Sequence, residues 1–191
     1  PITRAHGAGA LEPIGFVARA NPHIDATQAG PKYLNTPDNP LFRKGAQLYI
    51  ADHDHLAAGA TPVLVEGPMD ALAVTIATSG DHVGIASLGT ALTEEQARAL
   101  AHTIHGSGRE PILAFDADDA GRRATHRGYW LLAQHGLNPN TVHLRPGSDP
   151  GDVLALHGPE ALLRALADHT PLATELIREH LAEHRPGHRE R

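Results

Sequence analysis

Two groups of carboxylates stand where they could do chemistry. Val63-Leu64-Val65-Glu66-Gly67-Pro68-Met69-Asp70 is a short apolar run that stops on an acid, followed by Gly and then Pro. Gly permits a tight turn and Pro is preset for the first turn of a helix, so the order reads strand, turn, helix. Pro111 to Phe115 is a second apolar run, and Asp116-Ala117-Asp118-Asp119-Ala120-Gly121 begins where it ends. In an open parallel sheet the reactive crevice lies outside the carboxyl ends of the strands, and the pattern puts both groups there. Glu66 and Asp70, four apart, share a face once helical geometry has begun. Carboxylates held close together repel one another unless a divalent cation neutralises them. Mg²⁺ takes oxygen ligands at about 2.0–2.1 Å and keeps waters and substrate phosphates in its shell. The chemistry that suits this arrangement is Mg²⁺-dependent reaction at a phosphate ester.

The remaining titratable residues are less pointed. Fifteen histidines are scattered through loops and polar helix faces. Asp52-His53-Asp54-His55 and the His180/His184 pair have zinc-like spacing, the latter at i, i+4, but neither has a third convergent ligand in the sequence. With no cysteine there is no disulfide, no thiolate zinc site and no thiol nucleophile. That agrees with a cytoplasmic protein. No stretch approaches the roughly 20 apolar residues of a membrane span, and no signal-peptide pattern opens the chain. The net charge of −6 and pI near 6.2 are not the footprint of a tight, autonomous DNA binder. Acids clustered at a metal site would lower the total and still leave a local basic surface.

The elements that must carry these acids can be traced in order. Residues 1–12 lack periodicity and read as a flexible arm; Pro13 to Ala20 alternates like a strand, with Arg19 near its far end. Lys32-Tyr33-Leu34-Asn35-Thr36-Pro37 and Leu41 to Tyr49 mix basic, amide and aromatic groups among turn residues. Neither reads as a core element; both suit presentation of Lys, Arg and Asn to phosphates. Strands are expected at 61–66, 83–87, 111–115 and 141–144. Helices are expected at 68–79, closed by Gly80, and at 93–104, opened by the capping box Thr93 to Gln96. A third, at 119–135, is stopped by Gly136. After a loop over 145–151, two more helices run over about 159–168 and 171–184, and the polar tail 185–191 frays. Alternating strands and helices imply right-handed crossovers and a parallel core with helices on both faces.

An Asp-x-Asp at a strand end also occurs in receiver-type and haloacid-dehalogenase-type sheets, which place the nucleophilic aspartate near the start of the domain. Here Glu-Gly-x-x-Asp comes first and Asp-x-Asp-x-x-Gly two strands later, an order that resembles the TOPRIM domain of DnaG-type primases, topoisomerases and some nucleases. "PKYLNTP…LFRKGAQLY" and, before it, "IGFVAR" resemble the segment preceding that domain in DnaG-type primases, a preamble that topoisomerases and TOPRIM nucleases lack. The likeness continues through "VLVEGPMDALA", "GIASLGTALTEEQ", "PILAFDADDAGRRA" and "LRPGSDPGDVLALHG". The fold implied is α/β: a TOPRIM, Rossmann-like sheet with a four-strand parallel core, plus a small N-terminal β-containing segment and C-terminal helices. The division expected is residues 1–55, a basic N-terminal subdomain; 56–158, the TOPRIM domain; and 159–191, helices and tail.

What the resemblance implies is a primase-type RNA polymerase that makes primers on single-stranded DNA from NTPs. Glu66 matches the TOPRIM glutamate, a metal ligand or the general base near the attacking 3′-hydroxyl, and Asp116 and Asp118 match the aspartates that hold Mg²⁺, for which Mn²⁺ can substitute. Asp70 and Asp149 match further members of the metal shell. Where the family reads Asp-Pro-Asp, this chain has Asp149-Pro150-Gly151-Asp152, which leaves Asp152 either an outer ligand or a helix N-cap; Asp119 reads as a cap. Arg19, Lys32, Asn35 and Lys44 match positions used toward nucleotide and template, whereas Gly67, Gly89 and Gly121 answer to turn geometry. Two cations about 3.5–4 Å apart would serve the 3′-hydroxyl and the departing pyrophosphate. The family's zinc-binding template module is absent from this stretch, no zinc is expected in it, and the N-terminal arm is short for the whole core. The chain therefore reads as a piece of a larger protein, plasmid or mobile-element DNA being one source, with a helicase or other replication proteins met through missing domains and no membrane partner. Two alternatives use the same residues: a TOPRIM nuclease or topoisomerase-like enzyme, although no tyrosine stands in an obvious nucleophile context, and a non-catalytic nucleic-acid-binding or docking module of a replication or plasmid-transfer protein.

Overall fold

Val63, Leu64 and Val65 are all buried because the strand they form is covered on both faces. Alternation sends Val63 and Val65 into one apolar cluster and Leu64 into the other, the pattern of a strand in a parallel sheet with helices above and below. A computed structural model of the chain describes residues 1–6, 10–21, 31, 33–88 and 91–183. Its described strands are β1 (Ile2–His6), β2 (Ala10–Gly15), β3 (Val17–Arg19), β4 (Tyr33–Asn35), β5 (Tyr49–Ile50), β6 (Thr61–Val65), β7 (His82–Ala86), β8 (Ile112–Leu113), β9 (Asn140–Thr141) and β10 (Thr170–Pro171). Its described helices are α1 (His53–Ala57), α2 (Pro68–Ala77), α3 (Glu94–Ile104), α4 (Asp119–Ala133), α5 (Pro150–His157), α6 (Pro159–Ala167) and α7 (Leu172–Glu183).

Six strands form the central sheet in the order β10-β9-β8-β6-β7-β5. The middle four are parallel, and β5 and β10 close the two edges antiparallel. Ile112 and Leu113 lie level with Val63 and Leu64. Helices α2, α5 and α6 cover one face; α3, α4 and α7 cover the other. Close packing of α2 depends on Gly84 in β7, where a Cβ would collide with the backbone of Ala71. Helix α2 ends at a left-handed Gly80, φ 91°, and α4 runs out before a left-handed Gly136, φ 77°, the conformation that suits Gly just past a helix end.

The α/β sheet with its parallel core agrees with the expectation; four local readings are corrected. Residues 1–6 and 10–12 are not an arm: β1 pairs with β2, and Ile2 is 0% exposed in a cluster with Ile14, Phe42 and Leu88. The strand expected at 13–20 is broken at Phe16 into β2 and β3, the latter paired with β4. The stretch 41–49 does supply core, because Phe42 and Leu48 are buried. The loop expected over 145–151 ends sooner: Pro150 and Gly151 lie in the first turn of α5, whose Asp149-Pro150 start is an N-cap followed by Pro at the first helical position. Lys32, Gly89, His184 and the tail 185–191 lie outside the described residues.

Candidate active site

Because β6 and β8 are parallel neighbours in that register, the turns that leave them lie side by side. Glu66 follows β6 directly, and its Oε1 accepts a hydrogen bond from the backbone N–H of Asp116 at 3.4 Å. The acidic turn is self-braced: the Asp118 N–H donates to the Asp116 carbonyl at 2.8 Å, and Asp118 Oδ1 accepts from Gly121 N at 2.8 Å. Asp118 is thus the N-cap of α4, where an oxygen acceptor satisfies an open helical N–H. Asp119 is not the cap; it is the first residue of the helix and pairs with Arg122 at 3.1 Å. Gly121 is required by proximity, since a Cβ there would run into the Asp116 carbonyl.

A second acidic group lies across α2 and α5. Asp70, in the first turn of α2, is 7% exposed, and its Oδ1 accepts from Gly151 N at 3.2 Å. Asp149 caps α5, its Oδ1 accepting from Asp152 N at 2.6 Å, so Asp152 is within the helix and is not its cap. A cavity of about 450 Å³ is lined by Asp70, Asp149, Arg19 and Tyr33 among others. The Arg19 guanidinium lies 5.9 Å from the centre of the Tyr33 ring, within cation–π range. The Tyr33 hydroxyl accepts from the backbone N–H of Met69. Burial, then the charge of Asp70, pushes its pKa above 10.0; the Asp149 charge adds to this, and Arg19 and the Met69 N–H oppose it. The phenol therefore stays protonated. Gly67 makes room for this: a Cβ there would lie 2.9 Å from Asp70 Oδ2 and 3.2 Å from the Tyr33 hydroxyl.

The donors are hard carboxylate oxygens, as Mg²⁺ or Mn²⁺ requires. Among the described residues no three His, Cys, Asp or Glu side chains converge closely enough to hold an ion by themselves. A cation here would take one or two carboxylates and complete its shell with water and phosphate oxygens, which is how Mg²⁺ is usually bound. Asp52-His53-Asp54-His55 is committed to structure: Asp52 caps α1 and contacts His55 Nδ1 at 2.8 Å, and His53 Nε2 lies 3.1 Å from Thr3 Oγ1.

Residues 1–55 match the family described as DNA primase catalytic core, N-terminal domain, and residues 63–154 match the Toprim-like family. A DNA primase of Clostridium acetobutylicum is 36% identical over 154 residues, 79% of this chain and 24% of the relative. The crystal structure of Aquifex aeolicus primase, zinc-binding and RNA polymerase domains, superposes with a TM-score of 0.75 at 33% identity, over 96% of this chain and 43% of that one. The structure of a DnaG primase catalytic domain bound to single-stranded DNA does so at 0.73 and 28% identity, over 96% and 55%. The chain belongs to the DnaG-type primase family. It spans about a quarter of the length of the curated primases it matches.

In this primase segment the expected basic residues divide. Arg19 reaches the Asp70/Asp149 cavity. Asn35 contacts the chain just beyond β7: its Nδ2 donates to the Leu88 carbonyl at 3.5 Å, and its Oδ1 is buried with no hydrogen-bond partner among the described residues. That contact helps hold Leu88 in a left-handed conformation, φ 63°, uncommon for a bulky residue. The Lys44 N–H donates to Asp38 Oδ1 at 2.9 Å, and its ammonium forms no ion pair with the acids. Sequence reading passed over two residues. Tyr33 was noted only as an aromatic beside Lys32, although a lone Tyr among bases is a ready donor or acceptor near phosphates. Gln96, seen only as half of a capping box, also donates to the carbonyls of Lys44, Gln47 and Ser87 at 3.2, 2.7 and 3.4 Å.

Proposed function

We propose that this chain is the nucleotidyl-transfer part of a primase, joining NTPs into an RNA primer on a single-stranded DNA template with Mg²⁺, or Mn²⁺ in its place. The observation that carries the reading is the Glu66–Asp116 contact at the ends of two adjacent parallel strands, in a chain whose relatives are DNA primases. Glu66, Asp116 and Asp118 would bind the cation nearest the reacting oxygens; Asp70 and Asp149 would hold one beside the triphosphate. The bound cation supplies charge neutralisation at the phosphates and a lower pKa for the attacking hydroxyl. Arg19, Lys32, Asn35 and Lys44 are assigned to nucleotide and template, Arg19 with direct support from its place in the cavity. The division at 55/56 and 158/159, a cytoplasmic setting, and recruitment by a helicase or other replication proteins through the rest of the protein belong to the same reading.

The protein's own contribution is placement. Burial of β6 and β8 fixes the two acidic turns before substrate arrives, so little reorganisation is left for the reaction. The test uses the complete primase that contains this segment, with NTPs, Mg²⁺ or Mn²⁺ and single-stranded DNA. Asp116→Asn should lower primer synthesis by about 10²–10³-fold with an unchanged circular dichroism spectrum. A folded variant that retains the parent rate overturns the assignment.

A further inference from the structure

Beyond the acidic turns, on the α5/α6 side of the sheet, lies a concavity of about 470 Å³ whose polar walls are Arg145, Arg164, His143 and His157 and whose floor includes Val153 and Ala161. In a chain of net charge −6, two guanidinium groups and two imidazoles on one concave surface are conspicuous. Arg145 is exposed, and its hydrogen-bond neighbour is another base, His157 Nε2 at 3.3 Å. Among the described residues no carboxylate lies within 4.0 Å of Arg145. The acids that approach the others are Glu160, 3.7 Å from Arg164 with both side chains exposed, and Glu175, half-buried and bonded to Arg178 at 3.1 Å, whose other oxygen lies 3.8 Å from His143. An exposed pair such as Glu160–Arg164 contributes little, and an anion offering several oxygens to two guanidinium forks would displace it.

We infer that this concavity binds backbone phosphates of a single-stranded nucleic acid. Two observations favour a strand over a free nucleotide, the other source of the same phosphate chemistry. The loop that carries Arg145 is tied to the acidic turn: Gly147 N donates to the Ala117 carbonyl at 3.1 Å, and Ala117 N to the Ser148 carbonyl at 3.4 Å. A strand with one phosphodiester at Asp116 and Asp118 therefore has a continuous path to Arg145. The walls also pair basic groups with small aliphatic side chains and include no Phe, Tyr or Trp, a lining suited more to phosphate and sugar than to clamping a base. The identity of the strand rests on the polymerase reading; the site itself does not, because it uses none of the acids.

The test is fluorescence anisotropy of a labelled oligo-dT with the 191-residue chain, without NTPs or divalent cations, over about 20–200 mM salt. Arg145→Ala/Arg164→Ala should weaken binding about tenfold at the low-salt end and reduce the slope of log K against log salt by about 1.4, the value for two lost phosphate contacts on a single strand. Arg145→Lys/Arg164→Lys should retain most of the affinity. Arg98→Ala/Arg109→Ala, which removes equal charge from α3 and the loop before β8, should change the slope far less. All four arginines are exposed, and thermal melts check that each variant folds. Equal effects of the two alanine pairs overturn the inference. Loss of inorganic tripolyphosphate binding with oligonucleotide binding unchanged overturns it as well. An Asp116→Asn primase that retained the parent rate of primer synthesis would leave this result standing, so the two readings fail separately.

Discussion

Tyr33 shows how one side chain can join the two halves of this segment. It lies on β4, ahead of the sheet, yet its hydroxyl takes the Met69 N–H, one of the donors left open at the start of α2. Gly67, the residue in the capping position, has no side chain to do this. Tyr33→Phe keeps the ring beside Arg19 and removes only the oxygen. We expect a loss of about 0.5–1.5 kcal/mol in urea unfolding, and no loss would show that water replaces the hydroxyl at no cost. Glu66 and Asp116 differ in kind from Tyr33, because their contact leaves carboxylate oxygens beside a backbone that is already held in place. Asp118 and Asp149 each commit one oxygen to a helix N-terminus, which orients the carboxylate; in the proposed function its other oxygen would meet the cation.

At the scale of elements, the N-terminus of α3 governs how the basic preamble meets the sheet. Gln96 is 0% exposed; its Oε1 accepts from Thr93 N at 3.1 Å while its amide serves three carbonyls from two other segments. The Thr93 hydroxyl adds a bond of 2.6 Å to the Gly45 carbonyl. A cap that is a local device in an isolated helix here fastens the Lys44–Gln47 loop to the end of β7. Gln96→Ala removes the cap and strands buried carbonyls, so we expect about 2–4 kcal/mol of destabilisation. Denaturant midpoints measure it, and hydrogen exchange should rise first around residues 44–47. A loss below about 1 kcal/mol would mean that water serves those carbonyls as well as the amide does.

At the scale of the molecule, pH couples to stability through two half-buried histidines. Burial holds the pKa of His82 in β7 below its ordinary 6.5, against the raising effect of Asp81, while His169 and Arg109 lower it further. Its Nδ1 is buried with no hydrogen-bond partner among the described residues. Burial likewise lowers His53, against Asp52, Asp54 and the Thr3 contact. Since the folded state disfavours the imidazolium, the unfolded chain binds more protons in this range. The stabilisation is complete above 6.5 and is lost as pH falls from there toward the folded values. The melting temperature should therefore drop between about pH 7.5 and about pH 5.5, and His53→Gln/His82→Gln should flatten that dependence. An unchanged slope in the double variant would assign the effect to other groups. None of the described helices is long and apolar enough to cross a membrane.

Much of the architecture was legible in the residues because its signals are local. Continuous apolar runs ending on acids, Pro at the first helical position, Gly80 and Gly136 past helix ends, and Thr93 with Gln96 each act within a few residues. Together they define the parallel core and set Glu66 and Asp116 at strand ends. The tertiary structure decided what depends on partners distant in the chain. Ile2 becomes core only when β1 finds β2, and Phe42 only when both lie over Leu88. A two-residue strand such as β8 exists only because β6 and β9 flank it. The same reason explains why Tyr33 and Gln96 were passed over, and why the contact of Asn35 with Leu88 was not foreseen. A periodic pattern records which face of an element is apolar, whereas a hydrogen bond spanning 36 to 53 positions of chain is recorded in no local pattern.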